Sequence, residues 1–170
     1  MSFDPIYEYR TGIGTDIHRV VEGRKLMLGG IEVPYPSGLL GHSDGDVAIH
    51  AVIDAIIGAA GMGDIGTHFP DTEEQWKDAD SKELLIVIKD QIKDKNWEVV
   101  NIDLIIHAEQ PKLGTYKGQM RRAIAGLLGI DFAAVNVKAK TNEGFGEIGV
   151  GLAMAATVSV LLRRRVKRTL

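Results

Sequence analysis

The segment HSDGDVAIHAVIDAIIGAAG, residues 42–61, limits the possible folds of this chain more than any other. It opens with polar and acidic residues suited to capping a helix, continues with apolar residues such as Ile53 and Ile57, and ends at Gly61. This pattern predicts a helix with His50 in its middle. A buried imidazole without a partner is costly, so the fold must bring a partner to His50.

Some of the remaining segments show the periodicity of helices and others that of strands. Apolar spacing and capping residues predict helices over 81–95 and 116–128, and alternation predicts strands over 9–16, 97–107, 135–140 and the end of 149–162. Residues 25–33 resemble two short strands meeting at Gly29-Gly30. We therefore predict a two-layer α+β fold, with a mixed four-stranded sheet and helices on one face. The strands lack a polar outer face, which indicates an oligomer.

Composition and charge argue against several classes of function. The chain has 170 residues and no cysteine, so any transition metal must bind histidines and carboxylates. Its longest apolar stretch, 149–162, is shorter than the roughly 17–25 residues of a membrane span, and its start resembles no signal peptide. We expect one domain over 1–170, with an extension at 1–9 and a solvated basic tail at 163–170 outside the core. Outside that tail, acidic residues outnumber basic ones, which argues against a nucleic-acid partner.

Asp16 and His18 are the first candidate metal ligands. They are two residues apart near the end of a predicted strand, so their side chains project to the same side. His50 is the best third ligand, and two histidines with one carboxylate leave one position open on a tetrahedral zinc, as in catalytic sites. The alternative is that His18 only caps a turn and that His50 is a core histidine with ordinary partners.

Two loops are candidate binding segments. His42-Ser43-Asp44-Gly45-Asp46 lies at a predicted helix start, where free N–H groups and the helix dipole suit a phosphate, although a plain N-cap explains part of it. Residues 63–66 and 69–71 place carboxylates beside exposed backbone, which suits ribose hydroxyls or metal-held phosphates but also ordinary turns.

Four motifs together resemble one enzyme family. Thr15-Asp16-Ile17-His18, residues 41–51, Gly63-Asp64-Ile65-Gly66 and Phe69-Pro70-Asp71-Thr72 closely resemble the 2-C-methyl-D-erythritol 2,4-cyclodiphosphate synthases over about residues 10–162. The resemblance implies a homotrimer with active sites between neighbouring subunits. It also implies an enzyme of the bacterial cytoplasm.

The resemblance assigns roles to particular residues. It implies that zinc is bound by Asp16, His18 and His50, the first two also touching substrate. The erythritol phosphate is expected to contact His42 and Ser43, and other parts of the substrate are expected to contact Asp64, Ile65, Gly66, Phe69 and Asp71. The loop for cytosine and its phosphates maps onto Ala108, Pro111, Lys112 and Leu113. Thr141 and Glu143 match a phosphate contact and the ligand of a second ion, magnesium or manganese. The expected catalytic residues are His42, Thr141 and Glu143.

The implied reaction is an intramolecular phosphoryl transfer. The 2-phosphate of 4-diphosphocytidyl-2-C-methyl-D-erythritol 2-phosphate attacks the β-phosphorus, releases CMP and closes a cyclic diphosphate, in the non-mevalonate isoprenoid pathway. Two alternatives remain open. One is a phosphohydrolase that activates water on the same zinc and gives a linear product. The other is a metal-stabilised trimeric module that binds RNA through the basic tail.

Overall fold

The computed structural model describes residues 5–166, which form seven strands, five α-helices and two short 3₁₀ helices. The strands are β1 (Ile6–Glu22), β2 (Leu26–Leu28), β3 (Ile31–Val33), β4 (Ser37–Leu39), β5 (Glu98–His107), β6 (Val135–Lys140) and β7 (Ala153–Val166). The helices are α1 (Val47–Ala60), α2 (Ile65–His68), α3 (Ser81–Asp94), α4 (Lys117–Leu128) and α5 (Gly146–Gly149). The predicted α+β class and its three long helices are confirmed. None of the helices in this range is long and apolar enough to cross a membrane.

The main sheet has five strands in the order β4-β1-β7-β5-β6, so the predicted count of four is wrong. Only β5 and β6 pair in parallel, which makes the sheet mixed as predicted. The additional strand, β4, has three residues and pairs with the end of β1 through Val20–Leu39 and Glu22–Ser37. Such a short segment, with Gly38 at its centre, carries no alternation that would predict a strand. Strands β2 and β3 form the expected hairpin.

Helix α1 lies across the sheet and forms the centre of the core. Asp46 caps its start, and Gly61 ends it in the left-handed conformation at the position that the sequence predicts. The helix comes very close to β1 because Gly12 and Gly14 lack side chains. A Cβ at Gly14 would lie 2.1 Å from the carbonyl oxygen of Ala51. The adjacent His50 is thereby held directly over β1.

The two ends of the described chain are paired, and both strands extend beyond the bounds that the sequence predicts for them. β1 begins at Ile6 and β7 continues to Val166, and these two residues are register partners. Arginine fits this strand because its guanidinium groups find partners at the sheet surface: Arg163 donates to Glu98 and Arg164 donates to Glu8. The rest of the predicted extension and tail, residues 1–4 and 167–170, lies outside the described residues.

Candidate metal centre and substrate cavity

β1 and α1 together position the three predicted metal ligands. Asp16 and His18 lie on the same side of β1, and His50 reaches them from the first half of α1. Asp16 Oδ1 accepts the N–H of Ile17 at 2.9 Å, which leaves Oδ2 facing the two histidines. Within residues 5–166, these three form the one group of His, Asp or Glu side chains arranged to hold a metal ion.

The ligand atoms form a compact triangle. His18 Nε2 and His50 Nδ1 each lie 2.9 Å from Asp16 Oδ2, and the two nitrogens are 3.1 Å apart. An ion with bonds of about 2.0–2.1 Å places tetrahedral ligand atoms about 3.3 Å apart. A small outward movement of the side chains is enough to accommodate such an ion, so the arrangement fits a divalent metal.

The outer nitrogens of both histidines have partners. His18 Nδ1 donates to the carbonyl oxygen of Leu40 at 2.6 Å, so Nε2 is free to bind an ion. His50 Nε2 lies 2.8 Å from Ser81 Oγ and 3.0 Å from Ser43 Oγ. Each imidazole ring is therefore oriented by contacts to the nitrogen that faces away from the triangle. Metal sites commonly orient their histidine ligands in this way.

The electrostatics of the triangle favour a cation. Burial alone would raise the pKa of Asp16, but hydrogen bonds and charge from His18 and His50 hold that pKa well below its usual range. Burial lowers the pKa of His18, yet the Asp16 carboxylate outweighs it and raises that pKa above the ordinary value. A metal ion and a proton thus compete for His18 beside an ionised carboxylate.

A cavity of about 220 Å³ opens beside the triangle. Nine of the predicted site residues line it: Asp16, His18, His42, Ser43, His50, Ile65, Gly66, Phe69 and Asp71. The lining also includes Trp76 and Leu84, which belong to none of the site motifs. The cavity therefore has an acidic and imidazole-rich end and an apolar wall.

Asp64, a predicted site residue, does not line this cavity, whereas Trp76 does. The carboxylate of Asp64 is exposed and accepts the backbone N–H and the hydroxyl of Thr67, so here it caps α2. The Trp76 ring packs edge-on against Phe69, with centroids 4.9 Å apart. Its buried Nε1 has no hydrogen-bond partner among the described residues.

The remaining predicted residues form a second group, called here the 108–143 cluster: Ala108, Pro111, Lys112, Leu113, Thr141 and Glu143. It lies where β5 and β6 end. The N–H of Ala108 donates to Lys140 O at 3.0 Å, and Thr141 donates to the carboxylate of Glu143, which is exposed. None of these residues lines the cavity beside the triangle.

The two groups lie at the same end of the sheet but on different strands. His18 pairs with Met154, the adjacent Ala155 pairs with His107, and His107 pairs with Lys140. Three strand spacings of about 4.8 Å therefore separate β1 from β6, or about 14 Å. Within one chain, the 108–143 cluster is displaced sideways from the triangle.

Two residues that support the site escaped the sequence analysis. Arg24 donates to the carbonyl oxygens of Gly41, at 3.3 Å, and Ser43, at 2.7 Å, and so fastens the loop that carries His42. Ser81 contacts His50 from the start of α3. Neither belongs to a motif or forms a pattern with one, so only the fold reveals their contacts.

The fold and this donor set define a class of protein: an α+β enzyme scaffold with a candidate divalent-metal centre beside a small-molecule cavity. The sequence profile of the YgbB family matches residues 9–163. A Neisseria gonorrhoeae protein named 2-C-methyl-D-erythritol 2,4-cyclodiphosphate synthase is 52% identical over 155 residues, covering 91% of this chain and 97% of that protein. The chain belongs to the YgbB family, that of the 2-C-methyl-D-erythritol 2,4-cyclodiphosphate synthases.

Solved structures agree with this assignment. A 2C-methyl-D-erythritol-2,4-cyclodiphosphate synthase in a CDP-bound form matches with a TM-score of 0.83 and 35% identity, covering 90% of this chain and 99% of that one. The bifunctional IspDF of Campylobacter jejuni matches with a TM-score of 0.90 and 44% identity. That match covers 94% of this chain and 43% of the longer bifunctional chain.

Proposed function

We propose that this protein converts 4-diphosphocytidyl-2-C-methyl-D-erythritol 2-phosphate into 2-C-methyl-D-erythritol 2,4-cyclodiphosphate and CMP. The observation that carries the proposal is the convergence of Asp16, His18 and His50 on one point at the edge of a cavity lined by the His42–Ser43 loop. The names of the relatives and the CDP-bound neighbour support the same chemistry.

The nucleophile in this reaction is already an anion, so no strong base is required. The protein must position two phosphates that repel each other and offset the charge of the transition state. Zinc held by Asp16, His18 and His50, and magnesium or manganese held by Glu143, would supply Lewis acidity and a template for the diphosphate oxygens.

The side chains around the cavity supply the positioning. We assign the erythritol phosphate to His42 and Ser43, whose loop is fastened by Arg24. The apolar wall that includes Ile65 and Phe69 suits the methylated carbon chain of the substrate and excludes water from it. Asp64, Gly66 and Asp71 are assigned to the same substrate end. The 108–143 cluster is assigned to the cytosine and its phosphates, with catalytic contacts from Thr141 and Glu143.

We further propose that the active protein is a homotrimer with sites between neighbouring subunits. Ile13 and Ile17 are 72% and 60% exposed on the sheet face opposite α1. Burial of such a face against other copies is favourable. A neighbouring copy would also bring its 108–143 cluster to the triangle, from which the same chain's cluster is displaced sideways.

The direct test is ³¹P NMR of the purified protein with this substrate and Mg²⁺. We expect equal amounts of CMP and cyclic diphosphate. Release of CMP together with the linear 2-C-methyl-D-erythritol 2,4-bisphosphate would instead show the phosphohydrolase. Asp16→Asn should lower kcat/KM by more than about 100-fold, since even outer contacts of metal ligands change metal affinity by about 10–100-fold. Asp90→Asn, on the exposed side of α3, is the matched control and should behave as wild type.

A further inference from the structure

Behind His50 lies a chain of hydrogen bonds that runs through Ser81, a residue outside the site motifs, to Asp44. Ser81, the first residue of α3, is completely buried. Its Oγ lies 2.8 Å from His50 Nε2 and 2.5 Å from Asp44 Oδ1. Asp44 Oδ2 also accepts the backbone N–H of Ser81 at 3.2 Å, and Oδ1 accepts the N–H of Asp46 at 3.1 Å.

The direction of this chain follows from which groups can donate. An ionised carboxylate only accepts hydrogen bonds, and both oxygens of Asp44 already face N–H donors. The single hydroxyl proton of Ser81 therefore points to Asp44. Ser81 Oγ is then left as an acceptor toward His50, so the proton of a neutral imidazole must be on Nε2. The lone pair of His50 is consequently on Nδ1, the atom 2.9 Å from Asp16 Oδ2.

We propose that Asp44 and Ser81 are positioning residues that hold His50 as its Nε2–H tautomer and so aim its Nδ1 lone pair at the bound ion. The inference rests on the proposed metal centre and adds the residues that orient one ligand of it. Ser43 Oγ, 3.0 Å from the same Nε2, is a weaker second acceptor, because it already accepts the N–H of Gly45.

The two histidines differ in how they are held. His18 is oriented by a backbone carbonyl, that of Leu40, which no substitution removes. His50 is oriented by side chains, so its role as a ligand depends on residues 44 and 81. Loss of such an outer contact weakens metal binding by about 10–100-fold.

The test measures Zn²⁺ binding without substrate, by competition with a chromophoric chelator. Ser81→Ala should weaken zinc affinity by about 10–100-fold, and Asp44→Asn should do so to a smaller extent because an amide no longer dictates the direction of the chain. Ser37→Ala, on β4, is the matched control and should leave the affinity unchanged. Zinc affinity of wild-type strength in Ser81→Ala would overturn the proposal.

A second measurement does not depend on whether the variants fold. In ¹⁵N-labelled, zinc-loaded wild-type protein, long-range ¹H–¹⁵N spectra should show His50 protonated at Nε2 and bound to zinc through Nδ1. The opposite tautomer would refute the proposal even if the protein cyclises its substrate. Normal zinc binding through Nδ1 without any cyclisation would instead uphold the positioning role and reject the proposed function.

Discussion

At the scale of single residues, Asp46 connects two segments through one buried carboxylate. Its Oδ1 accepts the N–H groups of Ala48 and Ile49 at the start of α1 and that of Gly29 at 2.8 Å, and its Oδ2 accepts the N–H of Gly30 at 2.7 Å. One side chain therefore caps the helix and fixes the β2–β3 turn against it.

We predict that Asp46→Ala is much more destabilising than the loss of an ordinary cap. It leaves several buried donors without a partner, and each such donor costs about 1–3 kcal/mol, so we expect a loss of at least about 2 kcal/mol in the free energy of unfolding. Asp80→Ala removes the cap of α3, which makes a single bond, and should cost about 1 kcal/mol. Urea denaturation of both variants checks this, and equal losses would contradict it.

Glu143 provides a second prediction at this scale. A hard divalent ion prefers carboxylate and phosphate oxygens, so Glu143→Gln should raise the Mg²⁺ concentration for half-maximal rate and lower kcat more than it changes KM. Zinc content should stay at the wild-type level because the triangle is untouched. Steady-state rates over a Mg²⁺ titration measure this. Glu83→Gln, exposed on α3, serves as the control. If the two variants gave the same Mg²⁺ titration, Glu143 would not be a ligand of the second ion.

Residue types and spacing in the sequence are sufficient to predict the triangle. Asp16 and His18 share a side because strands alternate, and His50 needs a partner because its helix is apolar. Ser81, Arg24 and Trp76 could not be predicted this way, because each reaches the site through space from a segment with its own capping or packing pattern. Their chemistry becomes visible only when α3 and the loops are folded against α1.

At the scale of elements, the contact between β1 and α1 places His50. A Cβ at Gly14 would lie 2.1 Å from Ala51 O and 2.4 Å from Ala55 N, distances that force the helix to move. Gly58 is exposed on the same helix, and a Cβ there meets no described atom within 4 Å.

We predict that Gly14→Ala destabilises the protein by about 1–3 kcal/mol through overpacking. It should also weaken zinc binding, because the added methyl group displaces His50 from β1. Gly58→Ala should instead be neutral or stabilising by up to about 1 kcal/mol, because alanine favours a helix interior. Thermal unfolding and zinc competition compare the two variants. A Gly14→Ala protein with wild-type stability would show that the helix accommodates the methyl group.

Element types were more predictable than element ends. The three long helices have capping residues and apolar stripes, and they form where those patterns lie. β1 extends to Glu22 and β7 to Val166 because strand pairing, which is a contact between distant segments, continues past the apolar residues. Glu98 and Glu8 pair with Arg163 and Arg164 of β7. A run of basic residues in the sequence does not indicate that distant carboxylates will pair with it.

At the scale of the whole molecule, the sheet face opposite α1 exposes Ile13 and Ile17 among polar residues such as Thr15 and Ser159. We predict that Ile13→Lys abolishes self-association and activity together, because a charge at a buried interface is costly without a partner. Ile86→Lys, an exposed isoleucine of α3, should leave both unchanged. Light scattering coupled to size-exclusion chromatography measures the mass. A trimer-sized Ile13→Lys protein would show that the subunits do not meet through this sheet face. A monomeric wild-type protein would refute the proposed homotrimer.

In the proposed homotrimer, the sideways displacement of the 108–143 cluster from the triangle would make activity a shared property of two polypeptides. Two impaired variants, His50→Ala and Glu143→Gln, should therefore rescue each other when they are co-expressed and assayed at limiting Mg²⁺, where Glu143→Gln alone is slow. In a ring of three, every mixed trimer contains one junction at which both halves are intact, so random assembly from equal amounts should restore about a quarter of the wild-type rate. Rates no higher than those of the separate variants would mean that each chain works alone.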